Sequence, residues 1–262
     1  NSTISKTSGA PGQFSVDIST ESGSTATENV GGIIMASGFT PYDANKLPHL
    51  GFGKSKDVVD QAGLELLARA ANGGAIKRPS DGKEIKSVVF IQCAGQRSDK
   101  EGELPYCSGH CCNTSIKQAM YFKDQNPDID TVVMYTDLRT PGNGEDFYRS
   151  AQKKGVIFTK GVASAVVAGG ELQVKFNDKI LNEDAIAKAD LVVLATGMVA
   201  NSGVDIDAVK QDEPGQWAEN KASVLNMVYR QGKDLPLLKN GFNDSHFICF
   251  PYETRRTGIY AA

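Results

Sequence analysis

The chain has 262 residues, 40% of them hydrophobic and 23% charged, with 28 Lys and Arg against 31 Asp and Glu for a net charge of −3. That is enough apolar material to fill one large domain or two moderate ones, and the charge balance gives no basis for a general binder of nucleic acid or of membrane surfaces. No apolar run reaches the roughly 20 residues that span a bilayer, and no signal peptide opens the chain. The cysteines are five, an odd number, and three of them fall in YCSGHCC at 106–112. Tight clustering with an odd count argues against a secreted disulfide framework and for a reducing, cytoplasmic compartment. The missing initiator Met and the strand-like TGIYAA at the far end predict a piece of a longer protein.

Residues 1–30 are rich in Ser, Thr and Gly, and QFSVDIST within them alternates as an exposed strand does. GGIIMASG (31–38) reads as a buried strand entering a glycine turn. A looser stretch follows, with a helical piece at 58–72 and the turn-former PSDGKE. From Lys86 the pattern is regular. KSVVFIQC is a buried strand. NTSIKQAMYFKDQNP reads as a helix capped by Asn113 or Thr114 and stopped at Asn126-Pro127. DTVVMYTD (130–137) is the next strand, and EDFYRSAQKKG a second helix ending at Gly155. VIFTKG is a third strand, and AVVAGGELQVKF a hairpin turning at Gly169-Gly170. ADLVVLATG (189–197) is another buried strand leading into a turn. After Met198 the pattern weakens to one helical candidate (221–231) and two strands, HFICFP and TGIYAA. Strand, helix, strand, helix, strand is the doubly wound α/β order.

A nucleotide-binding unit of this kind carries G-x-G-x-x-G after its first strand. Here that place holds CAGQRSDKEGELPYCSGHCC, without the glycine fingerprint and with four cysteines. Thiolates bind zinc or iron–sulfur clusters. Zinc knuckles favour C-x₂-C and redox dithiols C-x-x-C, neither of which occurs. An iron–sulfur cluster, a zinc site, a redox thiol pair and plain packing all stay open on spacing alone. His110 inside the loop is a neighbour or a substitute ligand.

With these residues on the page, VVFIQCAGQRSDKEGELPYCSGHCC and the run after it resemble the flavoprotein A subunit of heterodisulfide reductase and its relatives, as does GGIIMASGFTPYDANKLPHLGFGKSKDVV upstream. The relatives include the flavoprotein subunits of the quinone-interacting membrane-bound oxidoreductase complex. The resemblance implies a thioredoxin-reductase-like α/β fold with two dinucleotide-binding domains, in which a Rossmann-like three-layer insert interrupts an FAD domain. It divides the chain into partial FAD-domain strands and a linker at 1–84, a cluster domain at 85–197 and a truncated return to the FAD domain at 198–262. It makes Cys93, Cys107, Cys111 and Cys112 the ligands of a [4Fe–4S] cluster. It makes Lys117 a catalytic lysine beside flavin N5. It makes Ala36, Ser37 and Gly38, then Ala195, Thr196 and Gly197, then Gly258 and Ala261, the turns that border FAD. Each of these glycine turns is equally explained by strands that simply end.

Two departures qualify the resemblance. The N-terminal G-x-G-x-x-G that grips the FAD pyrophosphate is absent, and so is the C-x-x-C-x-x-C insert that many heterodisulfide reductase A subunits carry before GGIIMASG. The second departure favours the quinone-interacting complex. The implied function is electron transfer between FAD and the cluster, linking a quinone pool with adenylylsulfate reductase through partner subunits. The alternatives are a bifurcating heterodisulfide reductase, and a zinc-stapled or cofactor-free assembly domain. The implied partners are the other subunits of such a complex, with no nucleic acid and no direct insertion into a membrane; association with one would run through a partner subunit. Among the remaining residues, Cys249 in HFICFP reads as a core residue, Arg255 and Arg256 as a solvated pair or as cations that approach a phosphate or another subunit, and Arg97 as a cation beside the cluster or a partner of Asp99. Asp137 and Arg139 sit at the strand edge where ligands gather. No Ser/His/Asp triad supports hydrolysis.

Overall fold

The computed structural model describes residues 1–169, 171–201, 240–243, 245–246, 249–254 and 256–262. The helical candidate at 221–231 and Arg255 lie outside the described residues. The chain divides into two compact units, one made of Asn1–Thr40 with Val199–Ala262, the other of Pro41–Met198.

The first unit begins with an antiparallel meander of Ser2–Ala10 (β1), Gln13–Thr20 (β2) and Thr25–Val30 (β3). Alternation in QFSVDIST buries Phe14 and Val16 while their neighbours remain more open. Ile33–Met35 (β4) is an edge strand of a second sheet among the described residues, and Ile34 is 68% exposed. The buried strand read from GGIIMASG is therefore open on one side, because an edge strand has only one neighbour to cover it. Phe39–Pro41 (β5) is a short strand that follows.

The second unit is built on a seven-stranded sheet. Val58–Asp60 (β6) runs into Gln61–Ala71 (α1), whose N-cap is Asp60, with its carboxylate accepting from Gly63 N at 2.6 Å. Asn72 closes the helix in a left-handed conformation. Then come Ser87–Ala94 (β7), Cys111–Gln125 (α2), Asp130–Tyr135 (β8), Gly144–Lys153 (α3), Ile157–Val167 (β9), Leu172–Asp178 (β10), Glu183–Ala189 (β11) and Leu191–Thr196 (β12). The spatial order is β11-β10-β9-β8-β7-β12-β6. Strands β6, β12, β7, β8 and β9 are parallel, and β9, β10 and β11 continue as an antiparallel meander. From β7 the chain moves outward through β8 and β9, then returns to the other side of β7 as β12. The reversal makes the carboxyl end of β7 a topological switch point, where open α/β sheets hold their ligands.

Val88, Phe90, Leu191 and Val193 supply the sheet's side of the core, against Ile116, Ala119 and Phe122 of α2, Leu64 of α1 and Ala151 of α3. Phe90 and Phe122 meet edge to face at 6.3 Å. The sequence placed residues 1–84 with the FAD strands. The compact unit begins at Pro41 instead, because β6 hydrogen-bonds β12 and α1 packs in the same core. Residues 183–189, EDAIAKA, were not legible as a strand, since small alanines give a weak alternation.

Helix α2 also starts earlier than its capping residues suggested. Cys111 and Cys112 are its first residues and His110 holds the N-cap position with no side-chain cap bond, so Asn113 and Thr114 lie inside the first turn. After β12, the short strand Met198–Ala200 (β13) pairs with β5. Ser245–His246 (β14), Phe250–Thr254 (β15) and Ile259–Ala261 (β16) complete the sheet of β4, with β16 parallel to it. Cys249 is exposed rather than in the core, since it sits in the turn before β15, a strand whose own Phe250 and Tyr252 are about half exposed. Arg256 is buried, at 2% exposure, not solvated.

One buried charge locks the entry to the sheet. Asp57 accepts from Ser80 N at 2.9 Å, Ser80 Oγ at 2.6 Å and Arg78 at 3.0 Å, while its backbone carbonyl accepts from Val192 N. Burial pushes its carboxyl up, but the bonds from Ser80 and Arg78 outweigh that and hold it below its ordinary 3.8. A depressed carboxylate stabilises the fold fully above its unfolded value and loses that contribution as pH falls through the lower folded value. Asp57→Asn is expected to cost about 1–3 kcal/mol at neutral pH and to flatten the acid limb of the melting temperature below about pH 4. Thermal melts of both proteins from pH 7 to pH 2 check it, and parallel limbs would remove Asp57 from the explanation.

Candidate functional site

At the carboxyl end of β7 the backbone leaves the strand abruptly. Cys93 and Arg97 take positive φ angles of 57° and 55°, rare for side chains other than glycine, and Gly95 between them takes 71°. Conformations of this kind cost on the order of 1–3 kcal/mol each and persist only where surroundings hold them. The surroundings are explicit. Arg97 N donates to Tyr106 O and Leu104 N to Gly95 O, which folds the loop back on itself. Tyr42, 3% exposed, donates from its hydroxyl to Gly102 O at 2.8 Å and from its backbone to Gly197 O at 2.8 Å. Its ring fills the space beside Gly95.

This loop and the start of α2 bring the four predicted cysteines into one electrostatic neighbourhood. Burial is the main cause that pushes the thiols of Cys93, Cys111 and Cys112 up. Cys107 adds to the rise at each of them, so the sulfurs feel one another. Each of the three also meets an N–H donor that opposes the rise. The Arg97 guanidinium lies 3.9 Å from Cys93 Sγ, Gln96 Nε2 lies 3.1 Å from Cys111 Sγ, and Arg139 N lies 3.5 Å from Cys112 Sγ. Cys111 Sγ also lies 3.3 Å from Thr196 O, to which its thiol donates.

Residues 195–197 come to the same place from β12. Ala195 O accepts from Gln96 Nε2 at 3.3 Å, and a Cβ on Gly197 would stand 2.5 Å from Leu104 Cδ1 and 3.2 Å from Ser108 Oγ. Gly197 is thus required by the cysteine loop. The other two turns belong to the first unit, where β4 and β16 run side by side. Met35 pairs with Ala261, and Ala262 N donates to Met35 O. Ala36, Ser37 and Gly38 follow the end of β4, and Gly258 precedes β16 with its φ at 81°. So residues 36–38 and 258–261 lie around adjoining parallel strands.

Lys117, on α2, forms an ion pair with Glu65 at 2.7 Å and lies 5.6 Å from the centre of the Tyr121 ring. Its pKa is raised, chiefly by the hydrogen bond to Glu65. Arg97 pairs with Asp137 at 2.7 Å, not with Asp99. Arg139 enters first through its backbone N–H, and its charge adds a weaker pull on Cys112 in the same direction. His110 is exposed.

Sequence reasoning missed Gln96 and Ser108. Their only signal was a place within the cysteine motifs, and nothing in a Gln or Ser announces a bond to sulfur.

The chemistry of this donor set can be tested against the two metal readings. Among the described residues no group of three or more His, Cys, Asp and Glu is arranged to hold a metal ion. Buried thiols that resist ionisation by themselves, each already facing an N–H donor, suit a multinuclear centre, whose irons take one thiolate each and whose sulfurs accept hydrogen bonds. A cavity of about 360 Å³ opens beside Cys93, with Gln92, Arg97 and Thr136 in its wall. Gln92 is 6% exposed, yet neither of its amide atoms has a partner among the described residues. A buried amide in that state is what a bound group or ordered water satisfies.

No family model matches the chain. Curated relatives do. It is 40% identical over 181 residues to the first iron-sulfur A subunit of the CoB–CoM heterodisulfide reductase of Methanopyrus kandleri, covering 65% of this chain and 27% of that protein. It is 34% identical over 237 residues to the A subunit of the ferredoxin/F420H2-dependent CoB-CoM heterodisulfide reductase of Methanosarcina acetivorans, covering 88% of this chain and 27% of that protein. The chain is a homologue of the heterodisulfide reductase A subunit. It spans about a quarter of the length of the A subunits it matches. Among solved structures, the thioredoxin reductase of Lactococcus lactis is 14% identical with a TM-score of 0.49, over 99% of this chain and 64% of that one. No helix among the described residues is long and apolar enough to cross a membrane.

In this A-subunit homologue, a Cβ at Gly95 would lie 2.5 Å from Tyr42 Cε1, at a φ that disfavours any side chain. Gly95→Ala should destabilise the second unit by more than about 1 kcal/mol. It should also speed the alkylation of Cys93 in the metal-free protein. Urea unfolding and mass-resolved alkylation measure both, and wild-type values would mean that the loop has no such constraint.

Proposed function

We propose that this chain is part of an electron-transferring flavoprotein, the A subunit of a heterodisulfide reductase-like oxidoreductase complex, and that Cys93, Cys107, Cys111 and Cys112 hold a [4Fe–4S] cluster in it. One observation carries the reading: Cys93 lies at the carboxyl end of β7, the switch point of a doubly wound sheet, Cys111 and Cys112 open α2, and N–H donors face the sulfurs of these three. When bound, FAD handles electron pairs and the cluster single electrons, which connects two-electron with one-electron carriers.

The chain's own residues prepare that site in three ways. The left-handed turn at Cys93 and the helical start at Cys111-Cys112 supply ligands from two rigid elements. Leu104, Tyr42 and the end of β12 cover the loop and limit water. Arg97, held by Asp137, sets a cation near Cys93. In the first unit, Ala36, Ser37, Gly38, Gly258 and Ala261 are the residues proposed to border FAD, with Ala195, Thr196 and Gly197 where the chain leaves the second.

The named relatives are subunits of CoB–CoM heterodisulfide reductases. For this chain the partners would be the other subunits of such a complex. A quinone-linked role that serves adenylylsulfate reductase rests on one sequence feature, the absence of a C-x-x-C-x-x-C insert before GGIIMASG.

Cys111→Ser in the full-length protein, purified anaerobically, is expected to abolish iron and acid-labile sulfide at this site while leaving the fold intact by circular dichroism. Cys249→Ser, whose cysteine is exposed and in the other unit, serves as the control. Stoichiometric zinc without sulfide in the wild type would replace the cluster by a structural metal. Lys117→Ala is expected to shift the flavin midpoint potential and leave the iron content alone, as loss of a cation near the ring requires. A wild-type potential in that variant would reduce Lys117 to the ion-pair partner of Glu65.

A further inference from the structure

We propose that Gln96 is the positioning residue that tunes the electron affinity of the cysteine-held centre, through the hydrogen bond from its Nε2 to Cys111 Sγ. This rests on the cluster reading above. Gln96 is 4% exposed, and its Nε2 lies 3.1 Å from Cys111 Sγ and 3.3 Å from Ala195 O. Its Oε1 lies 3.1 Å from both Ser108 N and Ser108 Oγ. A backbone N–H can only donate and a backbone carbonyl can only accept. The Ser108 amide and the Ala195 carbonyl therefore permit one orientation of the Gln96 amide, with nitrogen toward the sulfur. Ser108 Oγ in turn accepts from Met198 N at 2.8 Å, which leaves its own proton for Gln96. Turning the amide over would break this buried chain and set oxygen against both sulfur and Ala195 O.

Gly197 makes the room for this chain. A Cβ there would approach Gln96 Oε1 to 3.3 Å and Ser108 Oγ to 3.2 Å. The contact of Cys111 with Thr196 O needs the thiol proton, which ligation removes. Gln96 then remains as the side-chain donor to that sulfur. An N–H aimed at a ligating sulfur favours the state with more negative charge on it, which is the reduced one. Gln96 thus raises the reduction potential. The other donors differ in kind. The hydrogen bond from Arg139 comes from its backbone, beyond the reach of substitution, and Arg97 is neutralised in part by Asp137.

The experiment is a redox titration followed by electron paramagnetic resonance on the full-length, cluster-loaded protein, for wild type, Gln96→Leu and Ser108→Ala. Gln96→Leu should be reduced about tenfold less favourably, about 59 mV more negative for a one-electron couple. Its iron and sulfide content should match the wild type. Ser108→Ala frees the amide without removing it and should fall in the same direction by less. Electron–nuclear double resonance after exchange into deuterium oxide should lose one exchangeable coupling in Gln96→Leu. Wild-type potentials in the loaded variants overturn this inference alone. If Gln96→Leu fails to load, Ser108→Ala decides by the same criterion. A wild type without iron and sulfide overturns the cluster reading, and this inference with it.

Discussion

The end of β7 is the constraint on which the site depends. Strand geometry would carry the chain straight past the sheet edge. Instead Cys93, Gly95 and Arg97 all take positive φ, and the backbone doubles back within five residues. Such a turn is unfavourable in an isolated peptide. It survives because Leu104, Tyr106 and Tyr42 satisfy its backbone and fill the space that Gly95 leaves open. The consequence is geometric. Cys93 stops at the strand end instead of continuing the alternation, and the loop that returns carries Cys107 and leads into α2 at Cys111 and Cys112.

The second element is the helix that begins on its own cysteines. Most helices open with a polar cap, but α2 opens at His110 without a side-chain bond and places two thiols in its first turn. Early N–H groups of a helix have no partner within it, and their partial positive charge favours negative ligands. The cost of burying these two thiols, and of partly burying Cys93, is offset by three donors: a guanidinium and a side-chain amide from neighbouring residues of the loop, and a backbone N–H. The third donor, at Arg139, follows β8, so the sheet itself aligns it. The polar chain from Met198 through Ser108 to Gln96 then joins the end of β12 to Cys111. Residues 195–197, which the resemblance offered as a flavin-side turn after this buried strand, in this way also adjoin the cysteine loop.

Much of this architecture could be read locally. Continuous apolar runs marked β7, β8 and β12, because a parallel strand is covered on both faces. Helices α2 and α3 were visible from periodicity and stop signals. What failed did so for physical reasons. GGIIMASG and HFICFP look as apolar as central strands, yet β4 is an edge strand and Cys249 sits in a turn, so their burial depends on neighbours that local sequence does not name. The weak β11 lacked bulky residues to show its alternation. In residues 41–84 the helical piece was legible, but the strand before it and the buried ion-pair network were not, since the pairing of β6 with β12 links positions far apart in the chain.

The sequence by itself determined the α/β class and the replacement of a glycine fingerprint by cysteines, because each is a matter of residue type and spacing along the chain; the ligand role of those cysteines came from the family resemblance. Tertiary structure alone decided which groups face those sulfurs. Arg97 chose Asp137 over Asp99, Lys117 chose Glu65, and Gln96 was selected by Ser108 and Ala195. Hydrogen-bond partners are picked by distance and by the fixed polarity of backbone groups, and these exist only once β7, β12 and the loop between β7 and α2 have met.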